Sequence, residues 1–150
     1  MSFPGQSLGK LIWVTGGAGY LGSAIVSALD AAGVTTVCFD LAGRAELMVR
    51  EKNLKNTIPV TADLSHIDTQ RKAVAQALEN YGVPDGVAHL TFASSPGTRV
   101  EDMTTDEFSR TLTLALTPTF DLCRTVGSRM AERGSGSVVL LAPNDTLLDR

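Results

Sequence analysis

Two hydrophobic periods alternate along this chain. Short, nearly continuous apolar runs read as strands buried on both faces. They fall at Leu11–Thr15, at 35–39 ending on Asp40, at Thr57–Thr61, at 86–92 and at 137–141. Between them apolar residues recur every three or four positions, the mark of amphipathic helices. The first helix covers 20–32 and stops at Gly33, a normal C-terminal glycine. A short one covers 43–52. The third is capped by Asp68 and runs to Tyr81, with Ala73, Leu78 and Tyr81 on its apolar face. The fourth opens on the capping box Thr104-Thr105-Asp106-Glu107 and runs to Arg133, with a kink expected at Pro118. Gly134-Ser135-Gly136 ends it, and Leu112, Leu116, Phe120 and Cys123 near helical spacing read as its core face.

Strands separated by helices predict an α/β fold: a doubly wound, parallel, Rossmann-like sheet with right-handed crossovers and strand order 3-2-1-4-5. Pro59 supports that order, because a proline cannot donate to a ladder and the third strand then lies at an edge. Ligands of such sheets bind outside the carboxyl ends of the strands, where the order reverses. The ends of strands one to four therefore converge on one expected site.

Composition narrows the picture. The 150 residues are 43% hydrophobic, enough for one domain with a normal core. The net charge of −3 is spread along the chain, so no nucleic-acid partner is expected. No apolar run reaches the ~18 residues that span a membrane. Met1-Ser2-Phe3-Pro4-Gly5-Gln6 lacks the basic start and apolar core of a secretory signal. Cys38 and Cys123 fall in a predicted strand and a predicted helix, as free buried thiols rather than a disulfide. A reducing, cytoplasmic setting is the expectation. Two histidines and two cysteines at unrelated spacings make no metal-ligand set.

The candidate chemistry centres on Thr15-Gly16-Gly17-Ala18-Gly19-Tyr20-Leu21-Gly22, between the first strand and the first helix. Strand, glycine turn and helix form the context of a dinucleotide-binding fingerprint. The glycines at 16, 19 and 22 follow a G-x-x-G-x-x-G spacing. One makes the tight turn, one lets backbone N–H groups approach a pyrophosphate, and one lets the helix pack close to the strand. The helix N-terminus adds unpaired N–H groups and the positive end of its dipole.

Asp40 ends the second strand, at roughly the 20-residue distance where a carboxylate meets an adenosine ribose and repels a 2′-phosphate. That favours NAD over NADP. Arg44 lies close enough to complicate this preference, since a guanidinium could pair with a 2′-phosphate. Asp63, in Ala62-Asp63-Leu64 after the third strand, could bond an adenine amino group or simply cap a turn.

These motifs resemble the short-chain dehydrogenase/reductase family over about residues 9–142. Thr15-Gly16-x-x-Gly19-x-x-Gly22, Asp40, Asp63-Leu64 and Val87-Ala88-His89-Leu90-Thr91-Phe92-Ala93 are similar to its extended branch. Met130-Ala131-Glu132-Arg133-Gly134-Ser135-Gly136-Ser137-Val138-Val139 looks more like the classical branch. The resemblance implies NAD or NADP binding, with cofactor contacts at Thr15, Gly16, Gly19, Tyr20, Leu21, Gly22, Asp40, Asp63, Leu64, Thr91 and Ala93. It implies hydride transfer between nicotinamide and an alcohol or carbonyl. It also implies a homo- or hetero-oligomer, since the family often pairs through the long helix.

The family's catalytic residues do not carry over. Its acid/base is a tyrosine with a lysine four residues later, a cation that favours the phenolate. Here Tyr20 is followed at that distance by Ala24 and Tyr81 by Asp85, so no Tyr-x-x-x-Lys exists and no catalytic residue is assigned. The family's serine aligns near Ala142-Pro143 and its asparagine near Ala115. Ser94, Ser95 and Thr146 read as turn residues, His66 as a surface residue, and His89 as a satisfied core histidine. The family's pair lies beyond the fifth strand, and this chain stops at Arg150, leaving Val138-Val139-Leu140-Leu141 as an apolar sheet edge. Two functions fit: an NAD-preferring oxidoreductase domain that belongs to a longer enzyme, or a non-catalytic dinucleotide-binding module or silent subunit. The substrate is a small molecule of unknown identity.

Overall fold

The computed structural model describes residues 11–91 and 99–141. The predicted positions Phe92, Ala93, Ser94, Ser95, Ala142, Pro143 and Thr146 lie outside the described residues. Five parallel strands, β1 (Leu11–Thr15), β2 (Thr35–Asp40), β3 (Thr57–Thr61), β4 (Gly86–His89) and β5 (Ser137–Leu140), form one sheet in the order β3-β2-β1-β4-β5. Helices α1 (Tyr20–Ala31), α2 (Arg44–Glu51), α3 (Ile67–Tyr81) and α4 (Thr105–Arg133) connect them, with a short 3-10 turn at Val100–Asp102 before α4. Pro59 sits in the edge strand β3, opposite Cys38 of β2.

Strand alternation sorts the core into two layers, because successive side chains point to opposite faces. Trp13, Val37, Phe39 and Val87 face α3 and α4, where they meet Val74, Leu122 and Val126. Trp13 and Phe39 pack edge to face with ring centroids 5.4 Å apart. Val14 and Cys38 face the other way, toward Val26 of α1 and Met48 of α2. With helices on both faces, every central strand is buried on both sides, which is why these strands read as continuous apolar runs.

The helix ends follow their chemistry, with exceptions. At α4 the Thr104 hydroxyl accepts the Glu107 N–H at 3.2 Å and the Glu107 carboxylate accepts the Thr104 N–H at 2.8 Å, the expected capping box. Gly134 ends that helix in the left-handed conformation at φ 78°. Asp68 does not cap α3. The helix starts two residues earlier, with His66 at the N-cap and no side-chain cap bond. The local carboxylate that takes a backbone N–H is Asp63, which accepts from Ser65 at 3.0 Å, and Asp68 sits within the first turn. Tyr81, at the last position of α3, is 37% exposed rather than core.

Two further expectations change. The fourth strand ends at His89, not residue 92: the Leu90 N–H divides between the Thr15 carbonyl and hydroxyl, and the Thr91 N–H turns to that hydroxyl. The apolar stripe of α4 is not core: Leu112, Leu116 and Phe120 are exposed and Cys123 is half-buried. Only from Pro118 onward does α4 bury side chains, at Pro118, Asp121, Leu122, Val126 and Met130. Val139, Leu140 and Leu141 are likewise exposed along β5, which pairs only with β4 among the described residues.

Candidate functional site

The carboxyl ends of β1 to β4 open onto one cleft of about 380 Å³. The glycine turn forms one side. Gly16 has φ +65°, a conformation that L side chains rarely adopt, and a Cβ there would sit 3.2 Å from the Leu90 carbonyl carbon and the Thr91 nitrogen. Gly22, in the first turn of α1, packs so tightly under the loop that a Cβ would overlap the Gly16 carbonyl and lie 2.7 Å from Gly17 Cα. Gly19 is the N-cap of α1 and offers no side-chain cap, so the first N–H groups of the helix keep their hydrogens for a ligand. Gly17 lies against buried Cys38, a close approach that the glycine spacing alone did not reveal. Burial pushes the Cys38 thiol up to about 12, and it is inert.

Asp40 lies at the end of β2 and is buried. Its Oδ2 accepts the Ala18 N–H at 2.8 Å and its Oδ1 accepts the Leu41 N–H at 2.8 Å. Arg44 stands at the rim, half exposed, with Nε 3.6 Å from Asp40 Oδ1. Across the cleft, Asp63 accepts both the Ser65 N–H at 3.0 Å and the Ser65 hydroxyl at 2.6 Å. The Ser65 hydroxyl bond, foremost, holds the Asp63 carboxyl below the usual carboxylate range. The turn-capping role of Asp63 is therefore present, and its second oxygen sits 3.7 Å from His66 Nε2.

Of the residues expected from sequence, Gly16, Gly19, Asp40, Asp63, Leu64 and Thr91 line the cleft. Thr15 lies beneath its floor, fully buried. Tyr20 is fully exposed and Leu21 is 45% exposed, and neither side chain forms part of the wall. Phe39, Leu41, Arg44, Ala62, Ser65 and Leu90 complete it. For Phe39, Leu41 and Ala62 the signal was position, since each stands at or next to the end of a strand.

A larger groove of about 650 Å³ runs between α3 and α4. At its centre the charges of Asp121, Arg71 and Arg124 answer one another. Asp121 is held by Arg71 at 3.0 Å and Arg124 at 2.7 Å, and Arg71, foremost, depresses its carboxyl. No strand end reaches this groove, so the strand-end cleft is the candidate site.

A family model described as short chain dehydrogenase matches residues 10–146. The chain belongs to the short-chain dehydrogenase family. A D-threitol dehydrogenase of Mycolicibacterium smegmatis (strain ATCC 700084 / mc(2)155) is 30% identical over 143 residues, covering 89% of this chain and 52% of the relative. The crystal structure of gox2181 is similar with a TM-score of 0.82 at 26% identity, covering 94% of this chain and 56% of that one. A short-chain dehydrogenase from Streptomyces avermitilis is similar with a TM-score of 0.76 at 26% identity, covering 87% and 48%. This short-chain dehydrogenase chain thus spans about half the length of the curated relative. The family is one of oxidoreductases that use NAD or NADP. Among the described residues no helix is long and apolar enough to cross a membrane.

The cleft fits such a cofactor. Side chains at Gly16 and Gly22 would close the turn, and Gly19 leaves the end of α1 bare, so the loop has room for a phosphate against backbone N–H groups.

Proposed function

We propose that this chain is the NAD-preferring, dinucleotide-binding portion of a short-chain oxidoreductase. The observation that carries the reading is the 380 Å³ cleft in which the glycine turn, the uncapped end of α1, Asp40 and Leu64 meet at the strand ends. Residues 16–19 and the first turn of α1 would hold the pyrophosphate. Asp40 would border the adenosine ribose. Asp63 and Leu64 would border the adenine, between apolar strand ends that exclude water from the ring faces. When bound, the nicotinamide supplies or takes a hydride. This chain's share is to bind and orient, because it holds no Tyr-x-x-x-Lys to move the substrate proton. The substrate would be a small alcohol or carbonyl compound; the D-threitol dehydrogenase relative makes a polyol one candidate class.

The missing acid/base pair favours a second reading for the 150-residue chain taken alone: a nucleotide-binding module without turnover. Calorimetric titration with NAD, NADP and AMP tests the shared core of both readings. Saturable NAD binding supports them, and no binding at millimolar NAD overturns both. NAD-dependent turnover by this chain alone would overturn the second.

A further inference from the structure

Behind the cleft wall, three buried or half-buried side chains form one continuous hydrogen-bonded line. Thr15 and His89 are register partners on β1 and β4, and their side chains point to the α4 face. Thr15 Oγ1 lies 2.8 Å from His89 Nδ1, and His89 Nε2 lies 3.0 Å from Thr119 Oγ1 on α4. The proton positions follow by elimination. Thr119 spends its single hydrogen on the Ala115 carbonyl at 2.8 Å, so toward His89 its oxygen accepts. His89 therefore carries its hydrogen on Nε2, and its bare Nδ1 accepts the Thr15 hydroxyl. The Thr15 oxygen is then left to accept the Leu90 N–H at 3.1 Å and the Thr91 N–H at 3.3 Å. The Leu90 N–H also reaches the Thr15 carbonyl at 3.2 Å, so the Thr91 N–H depends most on the hydroxyl.

Leu90 and Thr91 form the wall that Gly16 presses against. We propose that His89 is a positioning residue for nucleotide binding, holding the Leu90–Thr91 wall through Thr15 and anchoring it to α4 through Thr119. The inference rests on the nucleotide-binding reading above. No charged side chain takes part. β1, β4 and β5 carry none other than His89 itself, and the nearest on α4, Asp121, is bound by Arg71 and Arg124. The line runs in one direction, from the wall amides to the Ala115 carbonyl, so removing its far end disturbs the near end.

The test is Thr119→Val, which keeps the shape of the half-buried side chain and removes the hydroxyl. His89 Nε2–H then has no acceptor. The proton shifts to Nδ1, which donates to Thr15 and displaces the Thr91 amide. In the wild-type chain, nitrogen NMR of the imidazole is expected to report the Nε2–H tautomer. In Thr119→Val that preference is expected to be lost, the Thr91 amide to exchange about three- to tenfold faster, and the NAD dissociation constant to rise by a similar factor, the size of one net hydrogen bond. Thr119→Ser, which restores only the hydroxyl, should restore all three. A wild-type Nδ1–H tautomer, or a Thr119→Val chain with unchanged Thr91 exchange and unchanged NAD affinity, would overturn the inference alone. A wild-type chain that binds no NAD would overturn the nucleotide reading and this role with it.

Discussion

The Asp40 carboxylate turns inward and accepts the Ala18 N–H of the glycine turn at 2.8 Å. It is a clamp between β2 and the loop as well as the border of the expected ribose position. A carboxylate with two backbone N–H donors and Arg44 at its flank has part of its charge answered before any ligand arrives.

Those two roles separate in one variant. Asp40→Ala leaves the half-buried Ala18 N–H without its acceptor and is expected to destabilise the fold by about 1 kcal/mol, the size of one net hydrogen bond. It should also weaken NAD and NADP together, because the loop loosens. On top of that, loss of the negative charge should narrow the preference for NAD over NADP. Dissociation constants for both cofactors check this. A uniform loss with an unchanged ratio would leave Asp40 as a clamp and remove it as the discriminator.

The glycines of the turn should divide in the same way. Gly19 has φ −72°, ordinary for any residue, and its Cβ would meet only the Gly16 carbonyl at 3.2 Å. Gly19→Val is therefore expected to fold with a small stability loss and to abolish NAD binding by blocking the approach to the helix N-terminus. Gly22→Ala puts a methyl group into the Gly16 carbonyl and should destabilise the loop itself, by about 1–3 kcal/mol as overpacking does. Urea midpoints read alongside NAD titration separate the two.

Much of this was legible in the sequence because local chemistry and global topology agree. The Thr104–Glu107 box, Gly134 and the edge proline each have one physical use and are found in it, and the glycine turn lies between β1 and α1 where its spacing puts it. What was not legible depended on other parts of the chain. Whether Leu112, Leu116 and Phe120 are core cannot be read from their spacing, since periodicity names a face but not what covers it. Asp68 does not cap because α3 already begins at Ile67, which puts Asp68 inside the first turn. The early end of β4 depended on the Thr15 hydroxyl, 75 residues away in sequence from Leu90. In the cleft, Gly16, Gly19, Asp40 and Asp63 were singled out by motif or spacing, whereas Phe39 and Leu41 contribute apolar shape alone.

The exposed stripe of α4 makes a direct stability contrast. Leu116 is 60% exposed and Leu122 is 1% exposed on the same helix. Leu116→Gln is expected to change stability by less than about 0.5 kcal/mol, as surface substitutions do. Leu122→Ala should cost about 2–5 kcal/mol by leaving a cavity against Trp13 and its neighbours. Denaturant unfolding of both variants checks the contrast. A large loss at Leu116 would mean that another surface covers α4 in solution.

His89 should give stability a pH dependence whose direction is fixed. Burial holds its pKa below the ordinary 6.5, since the charged imidazolium would lose water with no carboxylate to replace it. Below pH 6.5 the unfolded chain takes up this proton while the folded chain does not, so acid favours unfolding. The contribution of His89 is therefore complete above pH 6.5 and declines as the pH falls from there toward the folded pKa. Asp63 and Asp121 act in a lower window. Their depressed carboxyls stabilise fully above the ordinary 3.8, and that share is lost only as the pH falls below it. Urea midpoints should thus fall between pH 7 and pH 5 in the wild-type chain, and fall again below pH 4. His89→Gln, less stable throughout, should be flat across the first interval and retain the second. If the variant kept the wild-type slope between pH 7 and pH 5, the titrating group would not be His89.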